Sequence, residues 1–258
     1  MTLLGKETWL HRVNPSLKLL VVCILCIAVL FIDNLNYMMN LSVGFLILFL
    51  LFTGYPLKFI LLLVVPFCFI FISTSSAMVM FGQGETTWFK WGLVHITEES
   101  FFTGLLVGFR ALIFAMMGLT FALTTKPVNL FYSLMQQAKL KPKYAYSFMA
   151  ALRLITIMKE EFQTIRYAMK VRGVKKQKGL KSIFFKIKSY AVPLLSGSIR
   201  RAHRIAVAME AKQFSDDKNR TYYYNFSYSP YDYTFILYVL VLLVISFYAS
   251  THIPYVSV

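Results

Sequence analysis

The chain has 258 residues, of which 58% are hydrophobic and 15% charged, with a mean hydropathy of +0.61. That composition excludes an ordinary soluble globular protein as the first reading, because several apolar runs approach the ~20 residues that cross a bilayer. The net charge of +16 is concentrated: residues 126–220 hold 21 Lys and Arg against 5 Asp and Glu, while the other 163 residues carry six of each sign.

In chain order, a short polar start breaks at Asn14-Pro15, where Pro15 suits the first turn of a helix and Asn14 its cap. No cleavage-site pattern follows the first apolar run, so residues 17–32 are read as a retained span and not a removed signal peptide. Asp33-Asn34 marks a loop before a second span over Leu35–Phe52. A third span covers 57–72, with a kink expected at Pro66, where a helical hydrogen bond is lost. Residues 73–100 carry Ser73-Thr74-Ser75-Ser76 and the tryptophans Trp88 and Trp91, which suggest a segment at the membrane interface. The next span, 101–123, has Arg110 near its centre. A cation there costs about 2.5–3.5 kcal/mol on insertion scales and must face protein, either as a tie between helices or in a direct functional role.

The basic insert comes next. A short helix is expected over 130–140, a break at Lys141-Pro142, and a long helix over 144–171 with Phe148, Leu152, Ile155, Phe162 and Ile165 on one stripe. Two further helices are expected over 180–190 and 193–211, the second with Leu195, Ile199, Ala202, Ala206 and Met209 on a stripe, and Lys175-Lys176-Gln177-Lys178-Gly179 reads as a basic loop. The two long helices are expected to be amphipathic and paired. The last span is expected over 234–249. The fold class is therefore all-α, a polytopic membrane protein with about five spans, divided as 1–125, a helical region 126–220, and 221–258. Lys and Arg favour the cytoplasmic side, which puts 126–220 inside the cell and leaves each outer loop with the acids.

Two stretches of the insert repeat one device. Ala168-Met169-Lys170-Val171-Arg172-Gly173 and Ala208-Met209-Glu210-Ala211-Lys212-Gln213 each end a helix on a small or apolar residue, a cation and a turn. A cation at a helix C-terminus gains ~0.3–1 kcal/mol from the helix dipole and can reach a carboxylate on a partner. Ordinary C-terminal caps share these features. Catalytic and metal motifs are missing from the sequence: there is no GxxxxGK[ST], His11, His95, His203 and His252 are far apart, and Cys23, Cys26 and Cys68 sit in apolar runs.

With its opening His11-Arg12-Val13-Asn14-Pro15 and Lys18-Leu19-Leu20, and Arg110, Thr124-Thr125, Arg153 and Ala168 to Gly173 in order, the sequence resembles the transmembrane T component of energy-coupling factor (ECF) transporters, the cobalt-transport Q subunit family. That family carries two Ala-Arg-Gly motifs at the ends of two coupling helices. Val171-Arg172-Gly173 matches the first with valine for alanine, and Ala211-Lys212-Gln213 sits where the second belongs. The resemblance implies ATPase-coupling roles for Ala168, Val171, Arg172, Gly173, Ala208, Ala211, Lys212 and Gln213, and structural, intramembrane roles for Arg110 and Arg153. It implies two ABC-type ATPase partners, a separate substrate-binding membrane subunit and a lipid bilayer around a prokaryotic plasma-membrane protein. It implies neither a cofactor nor catalysis by this chain, with a vitamin, a vitamin precursor such as a thiamine precursor, or cobalt or nickel as the transported substrate. Nucleic acid is not an expected partner, because the insert's helices carry a heavily apolar face. The alternative is a membrane-embedded enzyme acting on lipid or polyprenyl groups at the cytoplasmic face, for which Asp216-Asp217 and Glu160-Glu161 are the acidic pairs in the insert.

Overall fold

The computed structural model describes residues 7–82, 86–91, 94–173, 180–214 and 221–252. Its elements in chain order are α1 (Trp9–Arg12), α2 (Pro15–Leu30), α3 (Leu35–Phe52), α4 (Leu57–Phe81), β1 (Thr87–Trp91), β2 (Val94–Thr97), α5 (Glu98–Thr124), α6 (Pro127–Gln137), α7 (Pro142–Val171), α8 (Leu180–Ala211) and α9 (Pro230–His252). They form two compact units, Met1–Ser133 with Phe226–Val258, and Leu134–Asn225. The chain is an all-α polytopic membrane protein whose only sheet, among the described residues, is the β1–β2 antiparallel hairpin.

In the first unit, α3, α4, α5 and α9 are long and apolar enough to cross a membrane. The expected fifth span, α2, is a shorter apolar helix of 16 residues, ~24 Å long at ~1.5 Å per residue. Helix α5 packs against α2, α3 and α4, and α3 also packs against α9. Their shared core includes Leu25, Phe45, Phe49, Ile113, Met116 and Phe235. Outward-facing Leu61, Leu62 and Phe69 of α4 are about 70% exposed, as suits a helix edged by lipid, where every backbone group is satisfied within the helix.

Several boundaries differ from those expected. Helix α4 does not stop at Ile72 but runs through Ser73–Ser76 to Phe81. Two hydroxyls of this run bond back to their own helix, Thr74 Oγ1 to Ile70 O at 2.9 Å and Ser76 Oγ to Ser73 O at 3.1 Å, which lets the polar run continue the helix. Helix α5 begins at Glu98, capped by Thr97, whose Oγ1 accepts the Ser100 N–H. The α4–α5 approach rests on two glycines four residues apart: a Cβ on Gly104 would lie 2.9 Å from Ser75 O, and one on Gly108 2.9 Å from the Phe71 ring. Such small-xxx-small spacing lets membrane helices pack backbone to backbone. The two helices expected over 180–190 and 193–211 are one helix, α8, continuous through Pro193. Proline removes a single hydrogen bond, and helical sequence on both sides carries the helix past it. The expected interface role of Trp88 and Trp91 concerns side chains outside the described set, and the basic loop 175–179 and Asp216-Asp217 lie outside the described residues.

Candidate functional site

The second unit is built on α7 and α8. Pro142 opens α7 at its first turn, where its missing N–H is not needed. Thirty residues later the helix ends with the Arg172 N–H on Ala168 O at 3.0 Å and the Gly173 N–H on Lys170 O at 3.2 Å. Gly173 has φ +66 and nothing within 4 Å of where a Cβ would stand. That left-handed backbone ends the helix; Val171 is 88% exposed and Arg172 is exposed.

The end of α8 has the same construction. The Lys212 N–H meets Ala208 O at 3.2 Å, the Gln213 N–H meets Glu210 O at 2.9 Å, and the Phe214 N–H reaches back to Met209 O at 3.0 Å. The last two bonds make a Schellman motif, in which the residue after the cap takes a left-handed conformation. That residue is Gln213, at φ +54. Glutamine turns less freely than glycine, yet here it occupies the conformation that Gly173 holds at the first tip. Phe214 then docks edge-on against Tyr146 of α7, ring centres 5.5 Å apart. At both tips a cation is the capping residue, and Ala168, Ala208, Ala211 and Lys212 are exposed beside it.

The tips lie at opposite ends of an antiparallel pair. Tyr146 meets Phe214, Glu161 meets Arg201, and Phe162 meets Tyr190, so position along α7 runs against position along α8. Arg172 is 22 residues beyond Ala150, which shares a groove with Ala208. Lys212 lies four residues past Ala208, so at ~1.5 Å per residue the two cations are separated by roughly 39 Å along the pair. The seam consists of Ala150, Leu154 and Ile157 on α7 with Ile205 and Ala208 on α8, bordering a groove of ≈ 330 Å³. Arg153, Arg201 and Arg204 line that groove. Arg201 pairs with Glu161, and the other carboxylate oxygen of Glu161 is buried without a hydrogen-bond partner.

The pairing of α7 and α8 was legible as amphipathic periodicity, and Phe162 of the expected α7 stripe does meet Tyr190 of α8, but other members of the two stripes face outward. Phe148 and Ile155 on α7, and Leu195 and Ile199 on α8, are 57–68% exposed. Periodicity defines faces without saying which face meets which. Arg153 is an exposed groove residue of this unit. Arg110 belongs to the other unit, where its Nη2 donates to Ile32 O at 2.8 Å and to Asp33 Oδ1 at 3.2 Å, tying α5 to the end of α2. Its Nε is buried without a partner.

No group of three or more His, Cys, Asp or Glu side chains capable of holding a metal occurs among the described residues. What the tips offer is a charged, sterically open helix end, suited to a carboxylate-bearing groove on another protein.

The cobalt transport protein family (CbiQ) matches residues 6–223. Similar proteins include the energy-coupling factor transporter transmembrane protein EcfT of Limosilactobacillus fermentum, 30% identical over 254 residues and covering 94% of each chain. The EcfT of Macrococcus caseolyticus is 25% identical over 238 residues, 88% of each chain. The EcfT of Lacticaseibacillus paracasei is 28% identical over 230 residues, covering 84% of this chain and 85% of its own. With its apolar spans and basic helical unit, the chain belongs to the cobalt transport protein (CbiQ) family, as a transmembrane T component of energy-coupling factor transporters.

Proposed function

We propose that this chain is the non-catalytic scaffold of an ECF-type importer, passing motion from two ABC-type ATPases to a separate substrate-binding membrane subunit. The observation that carries the reading is the duplicated tip: a capping cation followed by a left-handed residue, once as Arg172-Gly173 and once as Lys212-Gln213. Two like ends, held apart by an antiparallel pair, suit two like partners that approach each other on ATP binding. Ala168 and Val171 at one tip, and Ala208 and Ala211 at the other, leave room for a groove to close around the helix end. Arg172 offers a bidentate fork, whereas Lys212 offers a point charge, so the second partner surface needs less directional recognition.

The excess of Lys and Arg in 126–220 supports a cytoplasmic location for this region, and the bacterial relatives support the plasma membrane of a prokaryote as the chain's location. The transported substrate belongs to the class of vitamins, vitamin precursors, or cobalt and nickel, and is chosen by the separate membrane subunit.

Arg172→Glu tests the reading. Co-expressed with the ATPases, this variant is expected to lose at least tenfold in ATPase co-purification, because a repulsive charge replaces the attractive one. Wild-type recovery of both ATPases would defeat the proposal.

A further inference from the structure

The chain leaves the first unit after Ser133 and re-enters it at Phe226. Both points adjoin one buried polar node, built on the Asn14-Pro15 elbow and made entirely of residues of that unit. Pro15 starts α2 and leaves Asn14 outside the helix, at φ −58 and ψ 123. Its side chain and N–H are then available for other partners. Asn14 Oδ1 accepts from Ser133 Oγ at 2.6 Å and from the Ser16 N–H at 3.2 Å. Ser133 Oγ in turn accepts from the Ser16 N–H at 3.1 Å. The Asn14 N–H donates to Asp232 Oδ1 at 2.7 Å, and Asp232 Oδ2 accepts from the Ser229 N–H at 2.8 Å.

Lys18 completes the node. Its Nζ donates to Leu10 O at 2.7 Å and to Thr124 Oγ1 at 3.0 Å, joining the start of the chain to the end of α5. Ser133, Lys18 and Asp232 are 0%, 1% and 2% exposed. Tyr132 stacks on Phe226 with 12° between the rings, so the residue before Ser133 also meets the returning chain. Apolar contact would hold these segments together but leave them free to slide. Short directional bonds between buried polar groups, each costly to leave unmade, hold a particular rotation and register.

We propose that Asn14, Ser133 and Asp232 are positioning residues for energy coupling: they clamp both chain crossings to the start of α2, so that displacement of residues 134–225 is delivered to the spans instead of being absorbed at the crossings. This rests on the coupling role proposed above. Neither the tips nor the groove contributes a residue to the clamp.

The test uses the full chain, alone in nanodiscs and in complex with its ATPases, with spin labels on Phe247→Cys and Tyr167→Cys, both exposed and one in each unit. Cys23, Cys26 and Cys68 are first replaced by serine. Ser133→Ala and Asp232→Asn are expected to widen the label–label distance distribution at least twofold without nucleotide. They are also expected to abolish its shift on adding MgATP while the ATPases still co-purify. Ser133→Thr keeps the hydroxyl and is expected to preserve both. Should Asp232→Asn fail to fold, Ser133→Ala decides. A wild-type width and shift in Ser133→Ala would overturn the clamp. If the wild-type chain fails to bind ATPases, the coupling reading falls, whereas the widths of the chain alone still judge the clamp.

Discussion

Gly173 and Gln213 occupy the same left-handed position at two helix ends, one as the residue that favours it and one as a residue that does not. Exchanging their character predicts opposite effects. Gly173→Ala meets no atom of the described residues within 4 Å, so the penalty is taken from the backbone. A left-handed conformation costs a residue with a Cβ ~1–2 kcal/mol. The smaller freedom of alanine in the unfolded chain returns ~0.4–1 kcal/mol, leaving a net destabilisation of the tip of about 1 kcal/mol. Gln213→Gly reverses the same terms and stabilises its tip by a similar amount, the Schellman bonds of Gln213 and Phe214 being retained. The assay is hydrogen exchange of the last-turn amides in the purified chain, corrected for intrinsic rates. A change of about 1 kcal/mol in local opening is about fivefold in protection, so Arg172 and position 173 should exchange about fivefold faster in Gly173→Ala. Lys212 and Phe214 should exchange about fivefold slower in Gln213→Gly. Equal or slowed exchange at the first tip, or no gain at the second, would refute the shared geometry.

Further outcomes follow from the membrane unit. Arg110→Ala should lower the apparent melting temperature by the equivalent of about 1–3 kcal/mol, because Ile32 O loses its donor. Asp33→Ala should cost less than about 1 kcal/mol, since Asp33 is 88% exposed and its ion pair is screened by water. Gly104→Ala should destabilise by about 1–3 kcal/mol through collision with Ser75 O; Gly118→Ala, with nothing within 4 Å, should be neutral or stabilising by up to ~1 kcal/mol in the same melts. Burial first, then the nearby Lys18 charge, lowers the His11 pKa below its ordinary 6.5, and Nδ1 accepts the Thr8 N–H at 3.2 Å in the neutral form. The unfolded chain therefore takes up a proton that the folded chain resists. Stability is full above pH 6.5 and declines as pH falls through 6.5 toward the lowered folded value. His11→Gln should flatten that slope in melts between pH 5 and pH 8, and an unchanged slope would assign it to another group.

Much of the outline was readable from residue types. Apolar length located Leu35–Phe52 to the residue, and the stop at Arg172-Gly173 followed from glycine after a cation. The ends of α4 and the continuity of α8 were not readable, because they depend on whether a local signal is overridden. Ser73–Ser76 reads as a break until the Thr74 and Ser76 hydroxyls are seen bonded to the helix itself. Pro193 reads as a boundary until both flanks prove helical. At the second tip, Gln213 carries no mark of a left-handed turn, and only the return bonds to Glu210 and Met209 reveal it. The glycines at 104 and 108 had the spacing of a membrane packing motif, and it was the signal missed.

By itself the sequence determined the class of molecule: hydropathy over ~20-residue windows and the one-sided distribution of Lys and Arg are local sums that need no knowledge of neighbours. Tertiary structure alone decided which faces meet. Periodicity marked Phe148, Ile155, Leu195 and Ile199 as apolar stripes, but the α7–α8 seam runs through Ala150, Leu154, Ile205 and Ala208. It also decided that Asn14, Ser133 and Asp232, each about a hundred residues or more from the next, share one buried node. Such a node is invisible along the chain, since each member alone is an ordinary polar residue, and only burial of all three together makes their hydrogen bonds obligatory.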